Sequence, residues 1–439
     1  MSARTVVIVG RPNVGKSTLF NRIVGHRRAV VHETPGVTRD RIAELTDWAG
    51  HAFWLVDTGG IVPFGEGEVS RLDRQVTEVA HAAIAEADVV IFMVDGSGGL
   101  STWDDAIADH LRRSGKPVVV AVNKVEKEHL RLAVPEFHRL GLGEPIGISA
   151  LHGHDVGDLL DRVVAGFPPA PPPETPCDAR VAIVGRPNVG KSSLLNLLTG
   201  RREALVSEMA GTTRDTVHTD LRWHGRVLRL VDTAGLRRKS RVKEAVEVFS
   251  AMRTVRAIEQ CDVAVVMIDA AAGPVRQDAR IAALAHDAGK GIVVALNKWD
   301  LVPDKGPNTH LAFWERVLEE APFLGYARWL TISALTRQRA GRLLEMIWDV
   351  HEQRQQRVET SELNRALEEI TGRQPPRFHA GGTGKIYYGV QAGTAPPTFV
   401  LSVNQPRFFD RSYLRYLNNR LRERFGFAGS RIFLKLKEH

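Results

Sequence analysis

One nine-residue segment occurs twice in this chain, and it constrains the fold more than any other feature. The first copy is GRPNVGKST at residues 10–18, and the second is GRPNVGKSS at residues 185–193. Both match G-x-x-x-x-G-K-[ST], in which a glycine-rich turn between a strand and a helix directs backbone N–H groups at a phosphate. Two matches that share their inner residues are not a coincidence in a chain of 439 residues. The sequence therefore predicts two phosphate-binding loops (P-loops) for nucleoside triphosphates.

The repetition continues downstream of both loops. Four further segments recur in the same order, at residues 34–40 and 209–215, 57–60 and 232–235, 123–126 and 297–300, and 148–151 and 332–335. They read TPGVTRD and MAGTTRD, DTGG and DTAG, NKVE and NKWD, and ISAL twice. Repetition on this scale indicates a duplicated domain rather than an array of small repeats.

Short apolar, β-branched runs alternate with longer amphipathic stretches in each copy. In the first copy they predict strands at residues 5–9, 53–56, 89–94 and 118–122, and a helix at 75–87. Such strands suit a mainly parallel sheet covered by helices on both faces, so the predicted class is α/β. Every repeated motif follows a strand, at the carboxyl edge where open α/β sheets bind ligands.

Composition divides the chain into four parts. A proline-rich linker is predicted at residues 167–178, between a first α/β domain at 1–166 and a second at 179–352. The remaining residues, 353–439, predict a small α+β domain in the order α-β-β-α-β. Its predicted elements are residues 359–370, 385–391, 398–403, 410–425 and 431–437.

Positive charge is concentrated at the C-terminal end. The formal net charge is +8, and residues 351–439 contain 15 Lys and Arg against 8 Asp and Glu. A basic domain of this kind favours a polyanionic partner such as RNA. The two cysteines, Cys177 and Cys261, have no CxxC spacing, and the chain has no long apolar run. These features argue against disulfides and a membrane span, and they favour the cytoplasm.

The repeated motifs supply the parts of a site that hydrolyses a nucleoside triphosphate. In each copy the P-loop Lys binds the β- and γ-phosphates, and the following Ser ligates Mg²⁺. A Thr of the second motif closes on Mg²⁺ and the γ-phosphate. The Asp of the third motif holds Mg²⁺ through water, and its last Gly offers an N–H to the γ-phosphate. The predicted catalytic residues are Lys16, Thr38, Asp57, Gly60, Lys191, Thr213, Asp232 and Gly235. The predicted magnesium ligands are Ser17, Thr38, Asp57, Ser192, Thr213 and Asp232.

The fourth motif selects the base. Its Asn reaches the guanine edge, its Lys packs on the ring, and its carboxylate accepts hydrogen bonds from guanine N–H groups that adenine lacks. The last motif supports the base by backbone contact. The remaining predicted nucleotide-binding residues are Gly10, Arg11, Pro12, Asn13, Val14, Gly15, Ser17, Thr18, Thr58, Gly59, Asn123, Lys124, Glu126, Ser149, Ala150, Gly185, Arg186, Pro187, Asn188, Val189, Gly190, Ser192, Ser193, Thr233, Ala234, Asn297, Lys298, Asp300, Ser333 and Ala334.

With these motifs in this order, the chain resembles the bacterial GTPases with two tandem G domains, the EngA or Der family. The resemblance covers nearly the whole length: two Ras-like G domains of the P-loop NTPase fold, the linker, and a C-terminal KH-like domain. It implies GTP hydrolysis with Mg²⁺ and a role in ribosome biogenesis, through the large (50S) subunit and its rRNA. We expect a monomer with no DNA partner and no membrane.

Three residues depart from what such sites usually carry. Glu126 stands where NKxD has Asp, so we expect the first site to bind guanine still, with altered affinity or discrimination. Ile61 and Leu236 stand where Ras-like proteins carry a water-positioning Gln, so slow intrinsic hydrolysis is expected. By resemblance, Asn13 and Asn188 hold a K⁺ ion that supplies positive charge in the transition state, and K⁺ is expected as an activator.

The C-terminal domain carries one short motif and three notable aromatic residues. GGTG at residues 381–384 matches the GxxG of RNA-binding KH domains. It precedes a predicted strand instead of joining two helices, so we interpret it as a flexible loop. Tyr387, Tyr388 and Phe399 alternate within predicted strands, a pattern that favours core positions over base stacking.

Basic residues of the last helix and strand predict a phosphate-facing patch. The apolar stripe of the helix is formed by Leu414, Leu417, Leu421 and Phe425. Arg411, Arg415 and Arg422 lie off that stripe, and the final strand adds the lysines Lys435 and Lys437.

Three interpretations stay open. Arg39 and Arg214 either pair with a surface carboxylate or stabilise transition-state charge. Residues 236–243, LRRKSRVK, are either a solvated loop or a switch that presents RNA-binding charge in one nucleotide state. The alternative function is a nucleotide-gated regulator of a protein or tRNA-modifying partner, whereas NKWD disfavours an ATP-dependent metabolic enzyme.

Overall fold

A computed structural model of the chain describes residues 4–25, 43–60, 83–168, 176–200, 218–233, 243–379 and 382–439. The chain forms two compact units, Met1–Glu174 with Lys239–Arg253 and Thr175–Arg238 with Thr254–His439. The domain boundaries at residues 166, 178 and 352 stay predictions. Other predictions fall outside the described residues, namely those for Thr38, Arg39, Ile61, Thr213, Arg214, Ala234, Gly235, residues 236–242 and most of the helix at 75–87.

A six-stranded, mainly parallel sheet forms the centre of the first α/β domain. Its strands are β1 (Arg4–Val9), β2 (Ala43–Trp48), β3 (His51–Asp57), β4 (Val89–Asp95), β5 (Val118–Asn123) and β6 (Ile146–Ile148). They lie in the order β2-β3-β1-β4-β5-β6, and β2 alone among these strands runs antiparallel to its neighbour. The helices are α1 (Lys16–Gly25), α2 (Thr102–Ser114), α3 (Glu128–Ala133) and α4 (Val156–Ala165), with 3₁₀ turns at Thr58–Gly60 and Val134–Leu140.

The register of this sheet brings the motifs to one edge. Ile8 of β1 is opposite Asp57 of β3, and Asp95 of β4 is opposite Asn123 of β5. The P-loop leaves β1 at the same edge and enters α1. Because β4 (VVIFMVD) is buried along its whole length, it cannot shift without exposing apolar side chains to water.

The second α/β domain repeats this arrangement. Its strands are β7 (Ala179–Gly185), β8 (Thr219–Trp223), β9 (Arg226–Val231), β10 (Val263–Asp269), β11 (Gly291–Asn297) and β12 (Arg328–Thr331). The order β12-β11-β10-β7-β9-β8 is the first order read from the other end, and β8 is antiparallel to β9. The helices are α5 (Lys191–Thr199), α6 (Lys243–Gln260), α7 (Arg276–Asp287), α8 (Thr309–Glu320) and α9 (Ala340–Gln355), with 3₁₀ turns at Trp299–Leu301 and Pro322–Tyr326.

The C-terminal domain is α+β, with two helices on one face of a three-stranded sheet. Leu363, Leu367, Leu417 and Leu421 of the helices are buried against Phe399 of the sheet. The predicted order α-β-β-α-β is confirmed, and a short hairpin is added before the sheet. The elements are α10 (Thr360–Arg373), β13 (Phe378–His379), β14 (Gly382–Thr383), β15 (Ile386–Gly393), β16 (Thr398–Val403), a 3₁₀ turn (Pro406–Phe408), α11 (Arg411–Phe425) and β17 (Phe433–Glu438).

Within the second unit, the C-terminal domain packs at the start of β11, away from the strand ends that carry the motifs. The Ile292 N–H donates to the Gly429 carbonyl at 2.7 Å, and the Gly429 N–H donates to the Tyr326 carbonyl at 2.9 Å. Arg354, at the end of α9, donates through Nη2 to the Gly289 carbonyl at 3.2 Å. The two bonds of Gly429 join the second α/β domain to the C-terminal domain directly, and the Arg354 bond braces the same junction from α9.

Arg422 lies in this junction, so its predicted place in a phosphate-facing patch is wrong. Its guanidinium stacks 4.7 Å from the Tyr326 ring centre, and its Nη2 donates to the Ser430 carbonyl at 2.8 Å. Burial lowers the pKa of Arg422 to about 10. His286 is half-buried in the same junction, with its Nδ1 2.9 Å from the Tyr326 hydroxyl, and this desolvation lowers the pKa of His286 to about 4.

No helix among the described residues is both long and apolar enough to cross a bilayer.

Candidate nucleotide-binding sites

The first P-loop closes around the side chain of its own lysine. Lys16 Nζ donates to the carbonyls of Gly10 at 2.9 Å and Arg11 at 2.8 Å, and the residue is only 8 % exposed. Burial lowers the pKa of Lys16, and the Asp57 carboxylate opposes that effect. The sequence thus places an ammonium group inside the loop, at the start of α1 where a phosphate is favoured.

Glycine is required at Gly15 for two reasons. Its φ of +103° lies in the region that side chains disfavour, and a Cβ atom there would lie 2.4 Å from Asn123 Nδ2. Asn13 also has a positive φ, +64°, at the exposed turn of the loop. The left-handed backbone at both positions turns the chain sharply between β1 and α1.

A hydroxyl and a carboxylate meet beside the lysine. Ser17 Oγ donates to Asp57 Oδ2 at 2.5 Å, and the Gly59 N–H donates to Asp57 Oδ1 at 2.8 Å. A Cβ atom on Gly59 would lie 3.2 Å from Lys16 Cε and 3.6 Å from Ser17 Oγ, so the predicted residues converge on one point. Thr58 turns away from it, and its Oγ1 donates to the Ile8 carbonyl at 2.8 Å.

These oxygens fit Mg²⁺. Hydroxyl and carboxylate oxygens are ligands that Mg²⁺ prefers, and in P-loop sites phosphate oxygens and water complete its shell. Within the part of the chain that the structure describes, there is no group of three or more His, Cys, Asp or Glu side chains that could hold a metal ion. Ser17 and Asp57 would therefore hold Mg²⁺ together with a bound nucleotide.

The second P-loop repeats the first at the level of single hydrogen bonds. Lys191 Nζ donates to the Gly185 carbonyl at 2.8 Å and to the Arg186 carbonyl at 2.7 Å. Asn188 has φ +65°, and a Cβ atom on Gly190 would lie 2.3 Å from Asn297 Nδ2. The two loops therefore share one conformation as well as one sequence.

The Asn of each base-recognition motif joins three parts of its site. Asn123 Nδ2 donates to the Val14 carbonyl at 2.8 Å, and its Oδ1 accepts from the Ala150 N–H at 2.8 Å. Asn297 makes the matching bonds to Val189 at 2.7 Å and Ala334 at 2.9 Å. The side chain fixes the P-loop and the last motif relative to the base-recognition motif, a positioning role that the motif pattern alone does not reveal.

Sequence reasoning also missed the carboxylates that hold the motif lysines. Lys124 Nζ lies 2.7 Å from Asp95 Oδ2 and 2.9 Å from the Asn13 carbonyl, and Lys298 Nζ lies 2.6 Å from Asp269 Oδ2. Burial alone would raise the pKa of Asp95, but hydrogen bonds from Lys124, Ser97 and the backbone outweigh it and lower the pKa to about 2. The signal was present, since both Asp residues end equivalent strands.

A second missed pair anchors the P-loop arginines. Arg186 Nε donates to Asp278 Oδ1 at 2.8 Å, and Arg11 Nε lies 3.4 Å from Asp104 Oδ2. Both acids are nearly fully buried at the start of a helix, where Asp104 also caps α2 by accepting from the Ser101 N–H at 3.0 Å. These side chains point at carboxylates, so any phosphate contact of either arginine would come from its backbone N–H.

The two sites differ at the carboxylate that would recognise guanine. Glu126 is exposed and accepts a 2.7 Å hydrogen bond from Ser149 Oγ, which lowers the pKa of Glu126. Asp300 Oδ1 is buried and has no hydrogen-bond partner among the described residues. A buried, unsatisfied carboxylate oxygen is costly unless a ligand donates to it, so Asp300 fits the N–H groups of guanine.

Comparison with known proteins matches three stretches of the chain. A family described as "50S ribosome-binding GTPase" matches residues 5–124 and again residues 180–298. The family "KH-domain-like of EngA bacterial GTPase enzymes, C-terminal" matches residues 357–437. These matches fall on the two α/β domains and the C-terminal domain, respectively.

Relatives with curated names match over almost the full length. GTPase Der of Chloroflexus aggregans is 47% identical, over 98% of this chain and 96% of the relative. GTPase Der of Desulfitobacterium hafniense is 46% identical, over 100% and 99%. Among solved structures, Era in complex with MgGDPNP and nucleotides 1506–1542 of 16S ribosomal RNA is similar at a TM-score of 0.32 and 27% identity, over 46% of this chain and 69% of that chain. The family of this chain is assigned from the relatives that match by sequence.

Proposed function

The chain belongs to the Der family of GTPases, and on that premise we propose that GTP hydrolysis at its two sites controls binding to the large ribosomal subunit during ribosome biogenesis. The observation that carries the proposal is the duplicated site, in which Lys16 and Lys191 occupy identical hydrogen-bonded positions. The family description of both α/β domains, "50S ribosome-binding GTPase", supports the large subunit as the partner. The basic C-terminal domain supports rRNA as its point of contact.

The chain hydrolyses GTP to GDP and phosphate, with Mg²⁺ as its cofactor. When bound, Mg²⁺ neutralises charge on the β- and γ-phosphate oxygens. The protein residues contribute positioning and electrostatics: the ammonium groups of Lys16 and Lys191 would bind phosphate oxygens, and Ser17 and Asp57 would hold the metal. We assign water activation to positioning in the closed site, since Ile61 and Leu236 replace the usual Gln.

K⁺ is proposed to supply the missing positive charge. Asn13 and Asn188 sit at the exposed turns of the two P-loops with nearly equal φ values, which supports one shared role. We expect the GTPase rate in KCl to exceed that in NaCl of equal ionic strength by about an order of magnitude. Asn13→Ala/Asn188→Ala should remove this difference. Equal rates of the wild type in the two salts would reject K⁺ activation.

Sedimentation with purified ribosomal subunits tests the proposed partner. We expect the wild type with a non-hydrolysable GTP analogue to pellet with large subunits and not with small subunits. Lys16→Ala and Lys191→Ala, measured separately, should each weaken this association. Absence of the wild type from the large-subunit pellet, in any nucleotide state, would point instead to a regulator of a protein or tRNA-modifying partner.

The cytoplasm and a monomeric state are part of the same proposal. The low cysteine content supports a reducing compartment. Each α/β domain holds the described residues of its own site, so neither site calls for a second chain.

A further inference from the structure

A break in strand pairing exposes two neighbouring tyrosines of the C-terminal sheet. The register of β15 on β16 shifts between Ile386 and Tyr388. Successive side chains of a regular strand point to opposite faces, but such an irregularity lets two adjacent ones leave the core. Tyr387 is 45% exposed and Tyr388 is 49% exposed, so their predicted core positions are wrong. Phe399, which is fully buried, confirms the prediction made for it.

The tyrosines form an ordered cluster with His439 and a lysine. The His439 ring centre lies 4.6 Å from that of Tyr387 and 6.4 Å from that of Tyr388. His439 Nδ1 is 3.2 Å from Ser402 Oγ, which anchors the imidazole to β16. Lys385 Nζ lies 5.3 Å from the Tyr387 ring centre. The aromatic rings are thus held in place before any ligand arrives.

Lysines of the last strand extend the cluster across the sheet. Tyr388 of β15 is opposite Ser402 of β16, and Ser402 is opposite Lys437 of β17. Lys435, two residues before Lys437, lies on the same face of the sheet. Leu434 and Leu436 point to the other face and pack on the helices. In the described part of the chain, Lys385, Lys435 and Lys437 make no ion pair with a carboxylate, so their charge is available to an anion.

We propose that this sheet face binds single-stranded RNA, with bases stacked on Tyr387 and Tyr388 and phosphates held by Lys385, Lys435 and Lys437. Exposed aromatic rings beside unpaired lysines are what a single strand requires, whereas a protein partner would favour a continuous apolar surface. This face, called the platform below, begins with Lys385 directly after the GGTG segment. Gly382 and Thr383 of that segment pair in the β13–β14 hairpin, so the flexible loop predicted there is wrong for these two residues. The inference rests on the proposed contact with rRNA, which it locates.

Fluorescence anisotropy with a labelled, unstructured RNA of about 12 nucleotides tests the platform in the full-length protein. Tyr387→Ala/Tyr388→Ala should weaken binding by about tenfold or more, while Tyr387→Phe/Tyr388→Phe, which keeps the rings, should stay within about twofold of the wild type. Lys435→Gln/Lys437→Gln should reduce the slope of log affinity against log salt by about 1.4. Trp103→Ala, an exposed aromatic of α2, and Arg276→Gln/Arg280→Gln, two exposed arginines of α7, are the matched controls and should change neither quantity.

RNA affinity of Tyr387→Ala/Tyr388→Ala within about twofold of the wild type would overturn the platform, as would a wild type that does not bind the RNA. If this variant no longer binds the large subunit but keeps its RNA affinity, the face contacts a protein, and the RNA platform is overturned as well. Sedimentation with large subunits separates the two proposals. If the wild type does not pellet with large subunits but Tyr387→Ala/Tyr388→Ala still loses RNA affinity, the ribosomal target is refuted and the platform is supported.

Discussion

Asp300→Ala lowers the affinity of the second site for GTP by at least about a hundredfold and leaves its affinity for ATP unchanged. We expect the carboxylate to accept from two guanine N–H groups, and hydrogen bonds to a charged group contribute about 1.5–3 kcal/mol each. Asp300 Oδ1 is buried without a partner among the described residues, so little of that energy is offset by bonds lost on binding. Competition of GTP and ATP against a fluorescent GDP analogue measures both affinities, in a chain that also carries Lys16→Ala to silence the first site.

The first site provides the matched control. Glu126→Ala, in a chain that carries Lys191→Ala, should lower GTP affinity less than Asp300→Ala does. Glu126 is exposed to water, and its carboxylate already accepts from Ser149. An unchanged GTP-to-ATP preference after Asp300→Ala would show that this carboxylate does not read the base.

Lys16→Met and Lys191→Met each reduce GTP hydrolysis at their own site by about a thousandfold. Methionine keeps the length of the side chain and removes the ammonium, so charge stabilisation is lost while the loop stays filled. Each ammonium is held by two loop carbonyls, which directs it into the phosphate site. Single-turnover hydrolysis, with the other site silenced by its own Lys→Ala change, gives the rate for each site separately.

Lys290→Met is the control for these variants. Lys290 Nζ donates to the Glu259 carbonyl at 2.8 Å, outside both P-loops. Its replacement should leave hydrolysis at both sites within about twofold of the wild-type rate. A wild-type rate in Lys16→Met or Lys191→Met would remove that lysine from the catalytic machinery.

The parts of the fold that rest on local patterns could be predicted from sequence. The apolar run at residues 398–403 predicts a strand with the observed bounds, because turn residues border it on both sides. The P-loop is prescribed by residues such as Gly15, for which a side chain would collide with Asn123. Repetition strengthens each of these interpretations, since the second copy of a motif carries the same pattern independently of the first.

Long-range pairings could not be predicted in the same way. The register shift that exposes Tyr387 and Tyr388 depends on how two strands meet, and no local pattern specifies it. Helical periodicity places Arg422 on a surface because it ignores neighbouring domains, whereas here Tyr326 covers the guanidinium. The acid partners Asp95 and Asp278 were missed because they pair with Lys124 and Arg186, which lie 29 and 92 residues away along the chain.

The number of guanine nucleotides bound per chain decides whether both sites work. Equilibrium dialysis against GDP with Mg²⁺ should give two GDP per wild-type chain, and one in each of Lys16→Ala and Lys191→Ala. A large excess of ATP should displace neither. One GDP per wild-type chain, or a site that ATP fills in place of GDP, would contradict the presence of two guanine-nucleotide sites.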